Sequence, residues 1–353
     1  MTGRRVLRIL MCICALAIGA GAAELKARAS EGPASDSRRP SVKAPSDAPS
    51  KALGAAHTSV RVAPFRVPEL PAAELQITSH PGLGERYRDG AIITGSTPHR
   101  LILFTFDDGP DRRTTPLLLD RLDEAGMRAV FFLVASRLTG NTPSERQDVA
   151  VAREIIKRGH LVGNHTLDHA QLPLLDEQAA LLQIVSAEQI FEKVYGVRPW
   201  LFRPPFGAHS ERIDTLLASR GYTTMLWNLG TGDFQVRSAD EVFEIWRKVF
   251  ERREAETGDR GGIILLHDTY AWSVDAFQRI VSHLRTRNCE LLERGEELYD
   301  FVDDPSLFFM PRADGDASQE APAAQLTPEE LEARQRPLRE TEALRCRLLA
   351  SGG

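Results

Sequence analysis

The sequence lacks three things that would each narrow its function. There is no basic block: 44 Lys and Arg against 49 Asp and Glu leave a net charge of −5. The charge is spread along the chain, which argues against nucleic acid as the main partner. Cysteine is scarce, four in 353 residues. Cys12 and Cys14 fall in the first apolar stretch, so only Cys289 and Cys346 remain for the folded part. These two do not indicate a disulfide framework. A single bridge stays open, and Cys289 reads as helix packing. The N-terminal apolar run, Ile9–Leu16, is shorter than the roughly 20 residues a spanning helix needs.

That run sits behind Arg4, Arg5 and Arg8 and ahead of small residues at Gly21-Ala22-Ala23. Residues 1–23 therefore read as a secretory signal, or as an uncleaved anchor, which would be the only membrane link. Met11 and Ile13 are too large for the position before a lipid-modified cysteine. The expected location is periplasmic or secreted. Residues 24–60, rich in Ala, Ser, Pro, Lys and Arg, cannot offset ordering entropy and read as a linker. Residues 61–98 carry scattered anchors and are expected to extend along a core domain at 99–310, with a short strand within Gly90–Ser96. Residues 311–353 form a charged, partly helical tail. Thr327-Pro328-Glu329-Glu330 there has the form of a capping box, and the helix is expected to break at Pro337 as a solvated appendage of a monomer.

The chain is organised around Leu101–Pro110, Leu-Ile-Leu-Phe-Thr-Phe-Asp-Asp-Gly-Pro. An apolar run stopped by Gly109-Pro110 suits a parallel strand covered on both faces. Asp107 and Asp108 at its end would repel each other on desolvation unless a cation or proton lies between them. The bland alternative is that one of them caps the next helix. Downstream, His165-Thr-Leu-Asp-His169 offers two imidazoles four residues apart, on one face if the segment is helical.

Further strands are expected at Ala129–Val134, His160–Val162, Trp200–Arg203, Thr223–Trp227, Gly262–Leu266 and Glu297–Val302. Helices alternate with them, one starting at Ser144 with Gln147, one at Asp176, and one at Ser238 with Glu241 as a capping box. Alternation implies right-handed βαβ units and a parallel sheet. Asp107 and Asp108, His165 and His169, Arg203, Asp233 and His267 all fall at or after carboxyl ends of strands. In a barrel that is one rim, where active sites form.

Two histidines and one carboxylate make a three-ligand site with open positions, which marks a catalytic metal. Zinc is the default, while cobalt, nickel, manganese and iron also suit the donors. If Asp108 binds the metal, Asp107 is free as general base on a water whose pKa falls to about 7, with Arg203 aiming it. His267 can protonate an amine leaving group, helped by Asp233. The turn Pro204–Gly207 can offer a backbone N–H to an oxyanion. His160 and His283 read as structural or surface residues. Trp272, soon after His267, is the best candidate for stacking on a sugar.

Thr-Phe-Asp-Asp-Gly-Pro, His-Thr-x-x-His, Arg-Pro-Pro-Phe-Gly and Leu-Leu-His-Asp, in this order over roughly 99–302, resemble the polysaccharide deacetylases, the NodB-homology enzymes of carbohydrate esterase family 4. The resemblance implies a distorted (β/α)7 barrel and metal-dependent removal of acetyl groups from N-acetylated glycans. It implies Asp107 as base, Asp108, His165 and His169 as metal ligands, and Arg203 positioning the base. It also implies Phe206 as oxyanion donor, Leu265 walling the acetyl pocket, His267 as acid and Asp233 tuning that acid. Two motifs depart from the family. Gly230-Thr-Gly-Asp233-Phe234 replaces Asp-x-x-Asp-Trp, placing Phe234 at the sugar subsite, and Phe206 replaces a Tyr.

The leading expectation is thus an exported, metal-dependent deacetylase of an N-acetylglucosamine-containing polysaccharide, such as peptidoglycan, a chitin-like polymer or an exopolysaccharide. The alternatives are an inactive glycan-binding protein, and an O-acetyl esterase or cyclic-amide hydrolase on the same scaffold.

Overall fold

Leu101–Asp107 (β2) is buried along its whole length, and its alternate positions feed two cores. Leu101 and Leu103 pack inward with Ile93, Val130, Phe132, Leu201, Met225 and Ile263. Ile102, Phe104 and Phe106 pack outward under the helices. Both faces are apolar, so the run needs no alternation. Towards its end the inward positions become Thr105 and Asp107, and the barrel interior turns polar where the site begins.

The computed structural model describes residues 92–308 and 326–351, all within the compact unit Ala63–Gly353. The expected leader and linker, most of the 61–98 segment and residues 309–325 lie outside the described residues. β2 belongs to one sheet with Ile92–Ile93 (β1), Val130–Leu133 (β3), Leu161–Asn164 (β4), Leu201–Phe202 (β5), Thr223–Met225 (β6), Leu229–Gly230 (β7), Gly262–His267 (β8) and Asp300–Phe301 (β9). The order is β1-β6-β5-β4-β3-β2-β8-β7, with β9 also on β2. Every pairing is parallel. The sheet curls until its ends approach, because a Cβ on Gly95, just past β1, would stand 3.0 Å from Ile263 N of β8. This is the expected distorted (β/α)7 barrel, with β7 a short strand that the sequence reading did not separate.

The helices are Thr115–Ala125 (α1), Pro143–Lys157 (α2), Glu177–Tyr195 (α3), Glu211–Ser219 (α4), Ala239–Thr257 (α5), Ala271–Glu293 (α6) and Pro328–Ser351 (α7). Asp176 caps α3 through Ala179 N at 2.7 Å, and Gly196 ends it in the left-handed conformation that glycine favours. Two caps differ from expectation. In α2 the capping box is Thr142 with Glu145, because Pro143 takes the first helical position and pushes the cap before Ser144. Ser238 precedes α5 without a side-chain cap bond.

The tail also differs. α7 runs on through Pro337 and is no solvated appendage. The Gln335 amide accepts from Leu298 N at 2.7 Å and donates to Leu298 O at 3.1 Å, satisfying backbone just before β9. A Cys289–Cys346 disulfide with Cα atoms 5.7 Å apart ties α6 to α7, so Cys289 is a crosslink and not mere helix packing.

Candidate active site

Parallel pairing puts Asp107 level with His267 on β8 and with Phe132 on β3. Arg203, fully buried just after β5, fills the barrel beneath them. Its guanidinium donates to Asp107 Oδ1 at 2.8 Å, Thr105 Oγ1 at 2.7 Å, Met225 O at 2.9 Å and Leu226 O at 3.0 Å. It also lies 4.1 Å from the centre of the Phe132 ring. A buried cation needs such partners, and together they fix Asp107 with its Oδ2 towards His165.

The histidine pair is not on a helix. Asn164 ends β4, and a turn follows in which Thr166 and His169 have φ of 70° and 67°. Asn164 Oδ1 accepts from Thr166 N at 2.8 Å, and Thr166 Oγ1 accepts from His169 N at 3.0 Å. Asn164 Nδ2 donates to the buried Tyr222 hydroxyl at 2.9 Å. The turn, held at both ends, brings the imidazole rings to 5.0 Å. Among the described residues four non-glycines have positive φ, and these are Asp108, Thr166, His169 and Phe206. Left-handed backbone is costly for such residues and collects at functional sites.

His165 Nδ1 lies 2.7 Å from the Arg203 carbonyl oxygen. A carbonyl only accepts, so Nδ1 carries the proton and the Nε2 lone pair faces carboxylates. Nε2 is 3.5 Å from Asp108 Oδ1 and 3.8 Å from Asp107 Oδ2. His169 Nε2 is 3.2 Å from the same Asp108 oxygen, which is buried and has no hydrogen-bond partner. One ligand atom from each of Asp108, His165 and His169 lies within 4.8 Å of the others. Lone pairs converging on a desolvated oxygen fit a divalent cation, and the donor set suits zinc or its first-row neighbours. Burial opposes ionisation of Asp108, and its carboxyl is held low only insofar as the facing imidazoles of His165, His267 and His169 carry positive charge, the electrostatic demand that a cation would meet.

Across the rim, His267 has the opposite neighbour. Its Nδ1 lies 2.8 Å from Asp233 Oδ1, and its backbone N–H donates to Asp233 Oδ2 at 2.7 Å. Ser273 Oγ donates to Oδ2 at 2.6 Å and Trp272 Nε1 to the Asp233 carbonyl at 2.8 Å. Burial works against a charged imidazole, yet Asp233, Asp107 and Asp108 lift His267 to about 9. Leu265 is buried on the same face of β8, one layer below. Phe206, 66% exposed, stands edge-on to His169 with centroids 4.6 Å apart, and Phe234, 59% exposed, lies 6.0 Å from the His267 ring. Trp272 stacks on Tyr270 at 4.8 Å and 8°.

The eleven expected residues therefore gather at one end of the barrel, nine at the rim with Arg203 and Leu265 beneath it. The sequence reading missed the supports: Asn164, Tyr222, Thr105 and Ser273. Asn164 directly precedes His165, which was a local signal. Thr105, two residues before Asp107 on β2, was another; Tyr222 and Ser273 come from distant elements and gave none. Asp268, fully buried beside His267, is a further miss. It accepts from Thr115 Oγ1, and a Cβ on Gly109 would collide with its carboxylate, so only glycine lets the loop after β2 lie this close.

A family model described as polysaccharide deacetylase matches residues 94–225, which takes in the Asp-Asp strand end, the histidine turn and the Arg203 strand. Over this stretch the chain is similar to the polysaccharide deacetylases. It is 28% identical over 211 residues to a peptidoglycan-N-acetylglucosamine deacetylase of Bacillus cereus, covering 59% of this chain and 68% of that protein. It is 33% identical over 193 residues to the peptidoglycan-N-acetylmuramic acid deacetylase PdaC of Bacillus subtilis, covering 55% of this chain but only 38% of that protein. A solved peptidoglycan N-acetylglucosamine deacetylase in complex with 4-naphthalen-1-yl-N-oxidanyl-benzamide superposes with a TM-score of 0.51 at 28% identity, covering 64% of this chain and 94% of that one. The fold is that of the deacetylase family.

Proposed function

We propose that the chain is an exported, metal-dependent hydrolase that removes acetyl groups from an N-acetylglucosamine-containing polysaccharide, with peptidoglycan the favoured polymer and 99–310 the catalytic domain. The carrying observation is the convergence of Asp108, His165 and His169 to within 4.8 Å, flanked on the rim by Asp107 and His267.

In this reading Asp108, His165 and His169 hold a divalent cation, zinc by default, which when bound supplies Lewis-acid polarisation of a carbonyl and a nucleophilic water near pH 7. Asp107, fixed by Arg203, takes the proton released as water adds to the acetamido carbon. The backbone N–H of Phe206 stabilises the oxyanion, and Leu265 walls the methyl group. His267, kept protonated by Asp233, gives its proton to the sugar nitrogen as the C–N bond breaks. Acetate and a free amine leave.

Two further observations support the reading. The Cys289–Cys346 disulfide suits an oxidising compartment, in keeping with export. Two of the relatives are named for peptidoglycan sugars. Mass spectrometry of peptidoglycan and of acetylated xylan after incubation with the protein tests the chemistry. Loss of 42 mass units per N-acetyl sugar is expected from peptidoglycan; release from xylan alone would make the chain an O-acetyl esterase.

A further inference from the structure

Asp268 directly follows His267 at the end of β8, and its carboxylate faces the loop that leaves Asp108. The side chain is fully buried. Thr115 Oγ1, at the start of α1, donates to Oδ2, while Oδ1 is buried with no hydrogen-bond partner. Burial pushes the carboxyl up to about 7. Leaving a buried carboxyl oxygen unpartnered costs free energy, and an apolar side chain of similar volume would pack there without that cost. Core packing therefore gives no reason for an aspartate at this position.

Its contacts with the loop do. Thr115 Oγ1 also accepts from Asp111 N at 2.8 Å. Its single proton goes to Asp268, so the hydroxyl bridges the carboxylate to the loop backbone. The same carboxylate lies against Gly109, leaving no room for a Cβ there. From the other side, Gly109 O accepts from Val134 N at 3.0 Å, just past β3. Asp108 sits between β2 and this doubly held glycine, a non-glycine residue with φ of 73°. Backbone in that region persists only where its surroundings over-determine it.

We propose that Asp268 is a positioning residue for the metal site: through Gly109 and through Thr115 on Asp111 N, it holds the Asp108 carboxylate in the direction that meets His165 and His169. Asp268 is not itself one of the three converging groups. The inference rests on Asp108 as a metal ligand, as the proposed function has it, and is independent of which polymer is the substrate.

The test is the zinc affinity of the full-length chain, measured by competition with a chromophoric chelator on metal-free variants that circular dichroism shows to be folded. Asp268→Ala and Thr115→Val are each expected to weaken zinc binding by about 10–100-fold. Asp268→Asn and Thr115→Ser keep the acceptor and the hydroxyl, so both should bind zinc nearly as the wild type does. With zinc in excess, KM for the glycan should not move, since both side chains are buried away from it. Wild-type affinity in folded Asp268→Ala and Thr115→Val would overturn the proposal, as would equal losses in Thr115→Ser and Thr115→Val. Should Asp268→Ala fail to fold, the two Thr115 variants decide. Asp108→Ala in the same assay separates the two readings. If it too binds zinc as the wild type does, Asp108 is no ligand and both fall; if it alone loses zinc, only the role of Asp268 falls. Zinc losses as expected, but no acetate release from any glycan by the zinc-loaded wild type, would sink the deacetylase reading and keep Asp268 in its role.

Discussion

His165 and His267 occupy the same rim and differ in what faces Nδ1. For His165 it is a backbone carbonyl, which holds a proton on Nδ1 and turns Nε2 towards Asp108. For His267 it is the Asp233 carboxylate, which stabilises the imidazolium. In the proposed reaction the first arrangement suits a ligand and the second an acid. The two regions differ in support as well. The ligand side is built from left-handed turns pinned by buried hydrogen bonds, while the acid side opens onto exposed Phe234 and the half-buried Tyr270–Trp272 stack.

The largest effect should come from the ligand side. Asp108→Ala is expected to lose the metal and at least about a thousandfold in turnover, read by metal analysis beside acetate release. Asp107→Asn should keep the metal but reduce turnover by about 10²–10⁴. Loss of metal in that variant would mean that the two aspartates exchange roles.

Asn164→Ala releases Thr166 N and Tyr222, so metal affinity should weaken by about 10–100-fold. Tyr222→Phe should have a smaller effect, since it leaves the Asn164 bond to Thr166 intact. Competition with a chromophoric chelator measures both. An unchanged affinity in Asn164→Ala would show that the turn holds itself.

On the acid side, Asp233→Asn removes the group that raises His267. The imidazolium is then lost at lower pH, so the basic limb of the kcat/KM profile should move down while metal binding persists. A limb that stays in place would take the proton-donor role from His267.

The smallest effect is on folding and lies away from the rim. His160 Nδ1 accepts from Ala129 N at 3.2 Å, and burial, aided by Arg128, lowers its pKa to about 4. Because the folded value lies below the unfolded one, the unfolded chain takes up the proton first. Stability is full above pH 6.5 and falls as pH drops, by about 3 kcal/mol once pH 4 is passed. His160→Gln should flatten that slope in urea titrations followed by circular dichroism.

Strand positions and rim residues were legible because each depends on local pattern: an apolar run, a breaker, then polar groups at the strand end. Helix caps were partly legible. Thr142 displaced Ser144 once Pro143 took the first helical position, and Ser238 lacked the bond its sequence suggests. The histidine spacing is legible in the sequence, whereas the conformation of the segment is left open by it. Four-residue spacing is satisfied equally by a helix and by a left-handed turn, and the turn is selected by the side chains of Asn164 and Thr166, with Tyr222 holding Asn164. α7 continued through Pro337 because Gln335 and Cys346 anchor it on both sides, contacts across 37 and 57 residues.

The most direct test of the whole account is acetate release from N-acetylated peptidoglycan by the purified protein, first after chelation and then with zinc or cobalt restored. The account predicts no release from the chelated protein and recovery at one metal per chain. Release that survives complete metal removal, or one bound metal without release from any N-acetylated glycan, would contradict it.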